Sequence, residues 1–122
     1  MTADAAVPFT ATVRESVAGP VVEVAGELDY ESAPRLRGVL RRVLAVRPTP
    51  TVLVIDLGAV TFCDSAGLNA LLQTRLDAER QETAVHLARP TDIVTRVLEI
   101  TGAAQLFPVD PDIPAGPHTG AG

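Results

Sequence analysis

The first part of the chain alternates apolar and polar side chains, which is the pattern of half-buried β-strands. In residues 7–14, threonines separate the apolar side chains, and residues 20–26 are rich in valine. Between these runs, Ala18-Gly19-Pro20 has the composition of a turn. Two strands joined by so short a connection predict an antiparallel hairpin.

Three later stretches repeat apolar residues every three or four positions, which is the spacing of an amphipathic helix. Ser32 can cap the first, and Pro34 suits a first helical turn because its missing N–H costs nothing there. Thr91 can cap the third, and Gly102 is suited to end it. The apolar faces assigned to the second and third helices are Leu68, Leu71, Leu72 and Leu76, and Ile93, Val94, Val97 and Leu98.

The order of the predicted elements is β-β-α-β-α-β-α, with an optional last strand. Right-handed crossovers between parallel strands that are added in one direction place their helices on the same face of a sheet. We therefore expect an α/β fold, with a small mixed β-sheet and three or more helices mainly on one face. The elements are strands at 7–14 and 20–26, a helix at 34–44, a strand at 51–57, a helix at 66–82, a strand at 83–88, a helix at 92–101 and the optional strand at 105–107.

The folded domain is expected to span residues 7–107. Residues 1–6 are small and polar, which is typical of a flexible N-terminus. Residues 108–122 are rich in proline and glycine and are expected to form a flexible tail.

The stretch Phe62-Cys63-Asp64-Ser65-Ala66-Gly67-Leu68 marks a change from strand to helix. Asp64 and Ser65 are both favoured N-cap residues, because their side-chain oxygens accept the unpaired N–H groups of a first turn. The same N–H groups and the helix dipole favour a negative charge. Ser65 is therefore suited either to cap the helix or to carry a phosphate whose oxygens the following amides bind.

Composition narrows the classes of function. The chain has 122 residues, 47% of them hydrophobic, and a net charge of −5, which fits one folded domain and argues against binding along a nucleic-acid backbone. A single cysteine cannot form an internal disulfide. No signal peptide or membrane-spanning stretch is visible in the sequence. We expect a cytoplasmic protein that binds neither nucleic acid nor a membrane.

Catalytic chemistry has little support in the sequence. Ser65 follows a strand and opens a helix, as a nucleophile elbow does, but the G-x-S-x-G pattern is absent. The two possible histidine bases are His86, in a predicted strand, and His118, in the predicted tail. The sequence also lacks metal-ligand spacing and the glycine-rich phosphate loop with its lysine. We expect no catalytic residue, no metal and no cofactor.

Three segments carry a resemblance to a known family: Gly26-Glu27-Leu28-Asp29 before a helix, Val54-Ile55-Asp56-Leu57, and Phe62 to Leu68 with its Asp-Ser-x-Gly-Leu signature. Over roughly residues 7–107 the chain resembles the bacterial anti-sigma factor antagonists, which are stand-alone members of the STAS domain family. The resemblance implies a partner-switching module that is phosphorylated on Ser65. Its implied partners are an anti-sigma factor, which is also the serine kinase, and a serine phosphatase. The unphosphorylated antagonist binds the anti-sigma factor and frees a sigma factor, and phosphorylation blocks that binding.

The resemblance also implies a contact surface around the phosphorylation site. Many relatives carry a second hydroxyl residue directly after this site, where the chain has alanine. We expect a monomer or a weak dimer. An alternative function is a STAS-type subunit of a lipid-transport ATPase complex, or a stress-sensing scaffold, without a phosphorylation switch. The implied contact residues are Asp29, Asp64, Ser65, Ala66, Gly67 and Asn69.

Overall fold

The computed structural model describes residues 7–113, so the predicted flexible segments at 1–6 and 114–122 lie outside the described residues. The order of the elements confirms the predicted α/β class, and the optional last strand is present. The elements are β1 (Thr10–Ser16), β2 (Gly19–Leu28), α1 (Ala33–Leu44), β3 (Val52–Cys63), α2 (Ser65–Glu79), β4 (Ala84–Ala88), α3 (Asp92–Thr101), a 3₁₀ helix (Ala103–Leu106) and β5 (Val109–Asp110).

The five strands form one mixed sheet in the order β1-β2-β3-β4-β5. β1 and β2 are antiparallel, with Ser16 opposite Gly19 at the hairpin turn, whereas every later pair is parallel. The parallel strands are added in one direction, and buried residues of α1, α2 and α3, such as Leu40, Leu71 and Leu98, belong to one core cluster, so the three helices lie on the same face of the sheet. The predicted hairpin and the predicted placement of the helices are therefore both confirmed.

The main hydrophobic core lies between this sheet face and the three helices. Alternate residues of β3, such as Leu53 and Ile55, are fully buried there against helical residues such as Leu40 and Leu71. The opposite face of the sheet holds a smaller apolar cluster of Val21, Val54 and Ala88. Because β3 is buried on both faces, its sequence lacks the alternation of a half-exposed strand.

β3 is longer than predicted, because it continues from residue 57 to Cys63. β2 accompanies it to the end through two register shifts, and Gly26 lies between them with a φ of 90°. β4 pairs only with Val52–Asp56 of β3. The second half of β3 therefore projects past β4 and carries the turn into α2 at the end of the sheet.

Two apolar residues predicted to face the core, Leu76 and Ile93, are each 45% exposed. In α2 the buried face is instead completed by Ala70, Thr74 and Ala78. Because successive residues turn by about 100° around a helix, Leu76 lies on the side opposite Thr74. The buried face of α2 is therefore made partly of small and hydroxyl side chains, which the spacing of the leucines did not predict.

The C-terminal strand was predicted at the wrong position. Residues 103–106 form a 3₁₀ helix, and the last strand is Val109–Asp110, paired with Leu87 and Ala88 of β4. Ile113 then packs on the small apolar cluster of the helix-free face. Residues 108–113, which were predicted to belong to the tail, thus contribute to the sheet and its packing. No helix within residues 7–113 is long and apolar enough to cross a membrane.

Candidate functional site

Ser65 lies at the end of the sheet where β2 and β3 finish side by side. The backbone N–H of Asp64 donates to the carbonyl oxygen of Leu28, with an N···O distance of 3.3 Å. This bond joins the turn that begins α2 to the turn that follows β2. The segments 26–29 and 62–68, which the sequence singled out separately, are therefore neighbours.

Asp64, and not Ser65, is the N-cap of α2. Its Oδ1 accepts hydrogen bonds from the backbone N–H groups of Ala66 at 2.9 Å and Gly67 at 3.0 Å, and its own backbone is extended. Ser65 is the first helical residue, and its side chain is exposed. Among residues 7–113, no group makes a hydrogen bond with the Ser65 hydroxyl. The possibility that Ser65 is a plain N-cap is thus wrong.

The amides of the three residues after Ser65 are already occupied. Those of Ala66 and Gly67 donate to the Asp64 carboxylate, and that of Leu68 donates to the Asp64 carbonyl at 3.0 Å. The expectation that these amides would bind a phosphate on Ser65 is therefore not met. The Ser65 side chain itself is exposed and directly follows the capping residue Asp64.

Gly67 has a packing role. A Cβ atom at this residue would overlap the carbonyl oxygen of Leu28 and contact Cys63 Sγ at 3.2 Å. Only glycine therefore lets the first turn of α2 sit directly on the end of β2. Gly67 is buried and, as a glycine, has no side chain that a partner can contact. Cys63 beneath it is also buried, and burial, with a smaller contribution from the Asp64 charge, raises the pKa of its thiol to about 11.

The turn after β2 is held by a compact network of hydrogen bonds. The Asp29 carboxylate accepts the backbone N–H groups of Glu31 and Ser32, each at 3.0 Å. Ser32 Oγ donates to the carbonyl of Glu27 at 2.8 Å and accepts the N–H of Asp29 at 2.9 Å. The hydrogen bond from the Ser32 N–H is the largest cause that lowers the pKa of Asp29 below its ordinary value. The Ser32 side chain therefore ties the turn together and does not cap α1, as the sequence had suggested.

A groove between the first turns of α1 and α2 opens beside Ser65, with a volume of about 250 Å³. Tyr30 and Asn69 stand exposed along it, and the buried residues Ala33 and Ala70 lie at its base. Ala66, the neighbour of Ser65, also lines it. We call this feature the α1–α2 groove. Sequence reasoning missed Tyr30, although a lone tyrosine directly after Gly-Glu-Leu-Asp was a usable signal.

The part of the chain that the structure describes does not place a histidine near Ser65. His86, the one histidine in the range 7–113, pairs in register with Val54 near the start of β3. Val54 lies nine residues before Cys63, about 30 Å along the strand. The His86 ring is also engaged, because its Nδ1 lies 2.9 Å from Asp110 Oδ2. His118 lies outside the described residues, which also contain no cluster of three or more His, Cys, Asp or Glu side chains suited to a metal.

Comparisons with known proteins identify relatives of this chain. The chain is 40% identical over 66 residues to the anti-sigma-F factor antagonist RsfB of Mycobacterium tuberculosis, covering 54% of this chain and 52% of RsfB, so it spans about half the length of that relative. It is 31% identical over 86 residues to an anti-sigma-B factor antagonist of Listeria monocytogenes, covering 70% of this chain and 74% of the relative. A crystal structure of an anti-sigma factor antagonist from Mycobacterium paratuberculosis superposes with a TM-score of 0.76 at 33% identity, covering 87% of this chain and 88% of that one. Residues 9–115 match the family model of the STAS domain, and the chain therefore belongs to the STAS domain family.

Proposed function

We propose that this chain is an anti-sigma factor antagonist that is switched by phosphorylation of Ser65. Unphosphorylated, it binds an anti-sigma factor and thereby releases a sigma factor, and the phosphate ends that binding. The observation that carries the proposal is the exposed Ser65 hydroxyl. It lies at the start of α2, where Asp64 caps the helix and the hydroxyl makes no hydrogen bond within residues 7–113. Family membership and the antagonist names of the three relatives support the same function.

Phosphorylation acts on the surface and leaves the fold intact. A phosphate adds about −1.5 to −2 charges. Because the nearby amides are engaged by Asp64, the phosphoryl group remains in solvent, where a partner meets it. At a separation of about 4 Å, its repulsion with the Asp64 carboxylate costs about 1.5–2 kcal/mol in water, which is small beside a typical stability of about 5–15 kcal/mol.

The contact surface consists of exposed residues supported by residues that hold the backbone. Ser65 and Asn69 are exposed and Ala66 is partly exposed, so these three are available to a partner. Asp29 and Asp64 shape the two turns through bonds to backbone N–H groups. Gly67 allows the close approach of α2 to β2. We therefore assign direct contact to the first three and a positioning role to the other three.

In this function the protein is a substrate and a binding partner, without catalysis, metal or cofactor of its own. The anti-sigma factor is the ATP-dependent serine kinase, and a serine phosphatase restores the binding form. Both partners and the sigma factor operate where transcription takes place, which places this protein in the cytoplasm.

The test is a phosphorylation assay with the anti-sigma factor from the same organism. Purified protein is incubated with that factor and ATP, and the modified residue is mapped by mass spectrometry. We expect one phosphate on Ser65, no phosphate in the Ser65→Ala variant, and at least tenfold weaker binding of Ser65→Asp. Thr61, the exposed hydroxyl residue nearest to Ser65 in the sequence, supplies the control Thr61→Ala, which should behave as wild type. Stoichiometric modification elsewhere, or unchanged binding by Ser65→Asp, contradicts the proposal.

A further inference from the structure

Tyr30 is an exposed aromatic residue at the edge of the candidate site. Its side chain is 78% exposed, compared with 44% for Phe62, whereas Phe107 is buried and Phe9 is partly buried. Tyrosine is among the residues that most often dominate binding energy at protein interfaces, because it supplies a large, rigid contact area with a polar tip. Tyr30 lies in the turn after β2, which the hydrogen bond between Asp64 and Leu28 joins to the turn that carries Ser65. Its exposed side chain is therefore placed to contact a partner that binds at the candidate site.

The turn that carries Tyr30 is rigid before any partner arrives. Asp29 precedes the tyrosine, and its carboxylate binds the N–H groups of the two residues that follow it. Ser32 closes the turn with bonds back to Glu27 and Asp29. A side chain held on a preorganised backbone loses little conformational entropy when it is bound, which favours affinity.

The α1–α2 groove is lined mostly by small apolar groups. Ala33 and Ala70 form its base, with Ala66 on the side of Ser65. The one cation that reaches it, Arg37, is neutralised, because its Nη1 lies 2.8 Å from Asp77 Oδ2 and also donates to Thr74 Oγ1 at 3.2 Å. A charged side chain entering the groove would lose water without gaining a counter-ion. The groove therefore fits an uncharged, apolar side chain.

We propose that the α1–α2 groove receives an apolar side chain of the anti-sigma factor, with Tyr30 as the anchor that determines the strength of binding. This inference rests on the proposed function and adds the residue and the chemistry of recognition. It also explains how a phosphate acts. Ala66 lines the groove and follows Ser65, so a phosphate places charge at the rim of a surface that binding must dehydrate.

The sequence provides a direct probe of this contact, because Tyr30 is the only tyrosine in the chain. Protein labelled with 3-fluorotyrosine gives a single ¹⁹F resonance. Titration with the anti-sigma factor in the absence of ATP, so that Ser65 is not phosphorylated, should shift or broaden that resonance in step with binding measured by calorimetry. A resonance that stays unchanged while calorimetry reports binding overturns the role of Tyr30 and leaves the proposed function standing.

Variants measure the strength of the anchor. Tyr30→Ala should weaken binding to the anti-sigma factor by about 30-fold, as expected for a dominant interface residue, whereas Tyr30→Phe should retain most of the affinity. Val17→Ala is the matched control, because Val17 is 80% exposed in the β1–β2 turn, at the other end of β2. Ala70→Asp, which places a charge at the base of the groove, should abolish binding, and circular dichroism reports whether this variant folds.

The outcomes separate the two proposals. If wild type binds the anti-sigma factor and Tyr30→Ala binds equally well, the groove inference is wrong and the antagonist function is untouched. If wild type neither binds the factor nor is phosphorylated by it, the proposed function itself fails. An equal loss of affinity in Tyr30→Ala and Val17→Ala also counts against a specific anchor.

Discussion

Replacing Asp64 by alanine should destabilise the protein, whereas replacing its neighbour Ser65 should not. The Asp64 carboxylate is the acceptor for two first-turn amides, and its loss removes both hydrogen bonds. The Ala66 amide belongs to a partly exposed residue and can bind water instead. The Gly67 amide belongs to a buried residue and is left without a partner.

The expected cost follows from these two amides. Loss of an N-cap costs about 0.5–2 kcal/mol, and the buried amide of Gly67 places Asp64→Ala at the upper end, near 2 kcal/mol. Asp64→Asn keeps an acceptor and loses the charge beside the helix dipole, so it should cost about 0.5 kcal/mol. Ser65→Ala removes an exposed hydroxyl without an internal partner and should stay within about 0.5 kcal/mol of wild type.

Urea unfolding followed by far-ultraviolet circular dichroism measures these differences. With a urea dependence of about 2 kcal/mol per molar, Asp64→Ala should lower the midpoint by about 1 M, and Ser65→Ala should leave it nearly unchanged. An equal shift in the two variants would show that the serine hydroxyl shares the capping. A Ser65→Ala midpoint below that of Asp64→Ala would refute the assignment of the cap.

Three further predictions concern packing and charge. Gly67→Ala should destabilise the protein by about 3 kcal/mol, because the added methyl group overlaps a backbone carbonyl. Gly38→Ala, in the open middle of α1, should stabilise it by about 0.5–1 kcal/mol. Melting temperatures that move in the same direction in the two variants would contradict this. The Cys63 thiol, with its pKa raised from 9.0 to about 11, should react slowly with a disulfide reagent at neutral pH until urea is added. Because the folded state holds this proton more tightly, the contribution of the thiol to stability is complete below pH 9 and is lost as the pH rises towards 11, which alkaline unfolding curves can test. Arg89→Ala removes the cation that binds the buried Asp56 carboxylate at 2.9 and 3.1 Å and should lower the urea midpoint. Adding Asp56→Asn should recover part of this loss, and a double variant with a lower midpoint than Arg89→Ala would count against the pairing.

The order of the elements was predictable because each has a clear local pattern. Alternating residues predicted the hairpin, and helical spacing predicted α1, α2 and α3. The far half of β3 escaped prediction, since Gly58 and Thr61 interrupt the apolar run, and pairing with β2 carries the strand to Cys63. Leu76 was misplaced because the buried face of α2 is set by close packing against its neighbours, which the spacing of leucines does not report.

The sequence predicted where the candidate site lies, but not which of its residues caps α2 and which is left exposed. The sequence identified Asp64 and Ser65 as equivalent candidates for the N-cap. Only backbone geometry assigns the cap to Asp64, which leaves the serine outside the hydrogen-bond network. Tyr30 was overlooked because its exposure depends on how the turn from β2 into α1 folds, and the pattern of apolar residues does not encode that exposure.

The separation of the cap and the exposed serine into two adjacent residues has a consequence for the lifetime of the protein. Degradation in the cell follows the population of unfolded or locally opened chains. Since the Ser65 side chain makes no internal hydrogen bond within residues 7–113, its modification changes that population little. Under the proposed function, phosphorylated and unphosphorylated molecules would be turned over at similar rates. The cell could then reuse one pool of protein through many rounds of signalling.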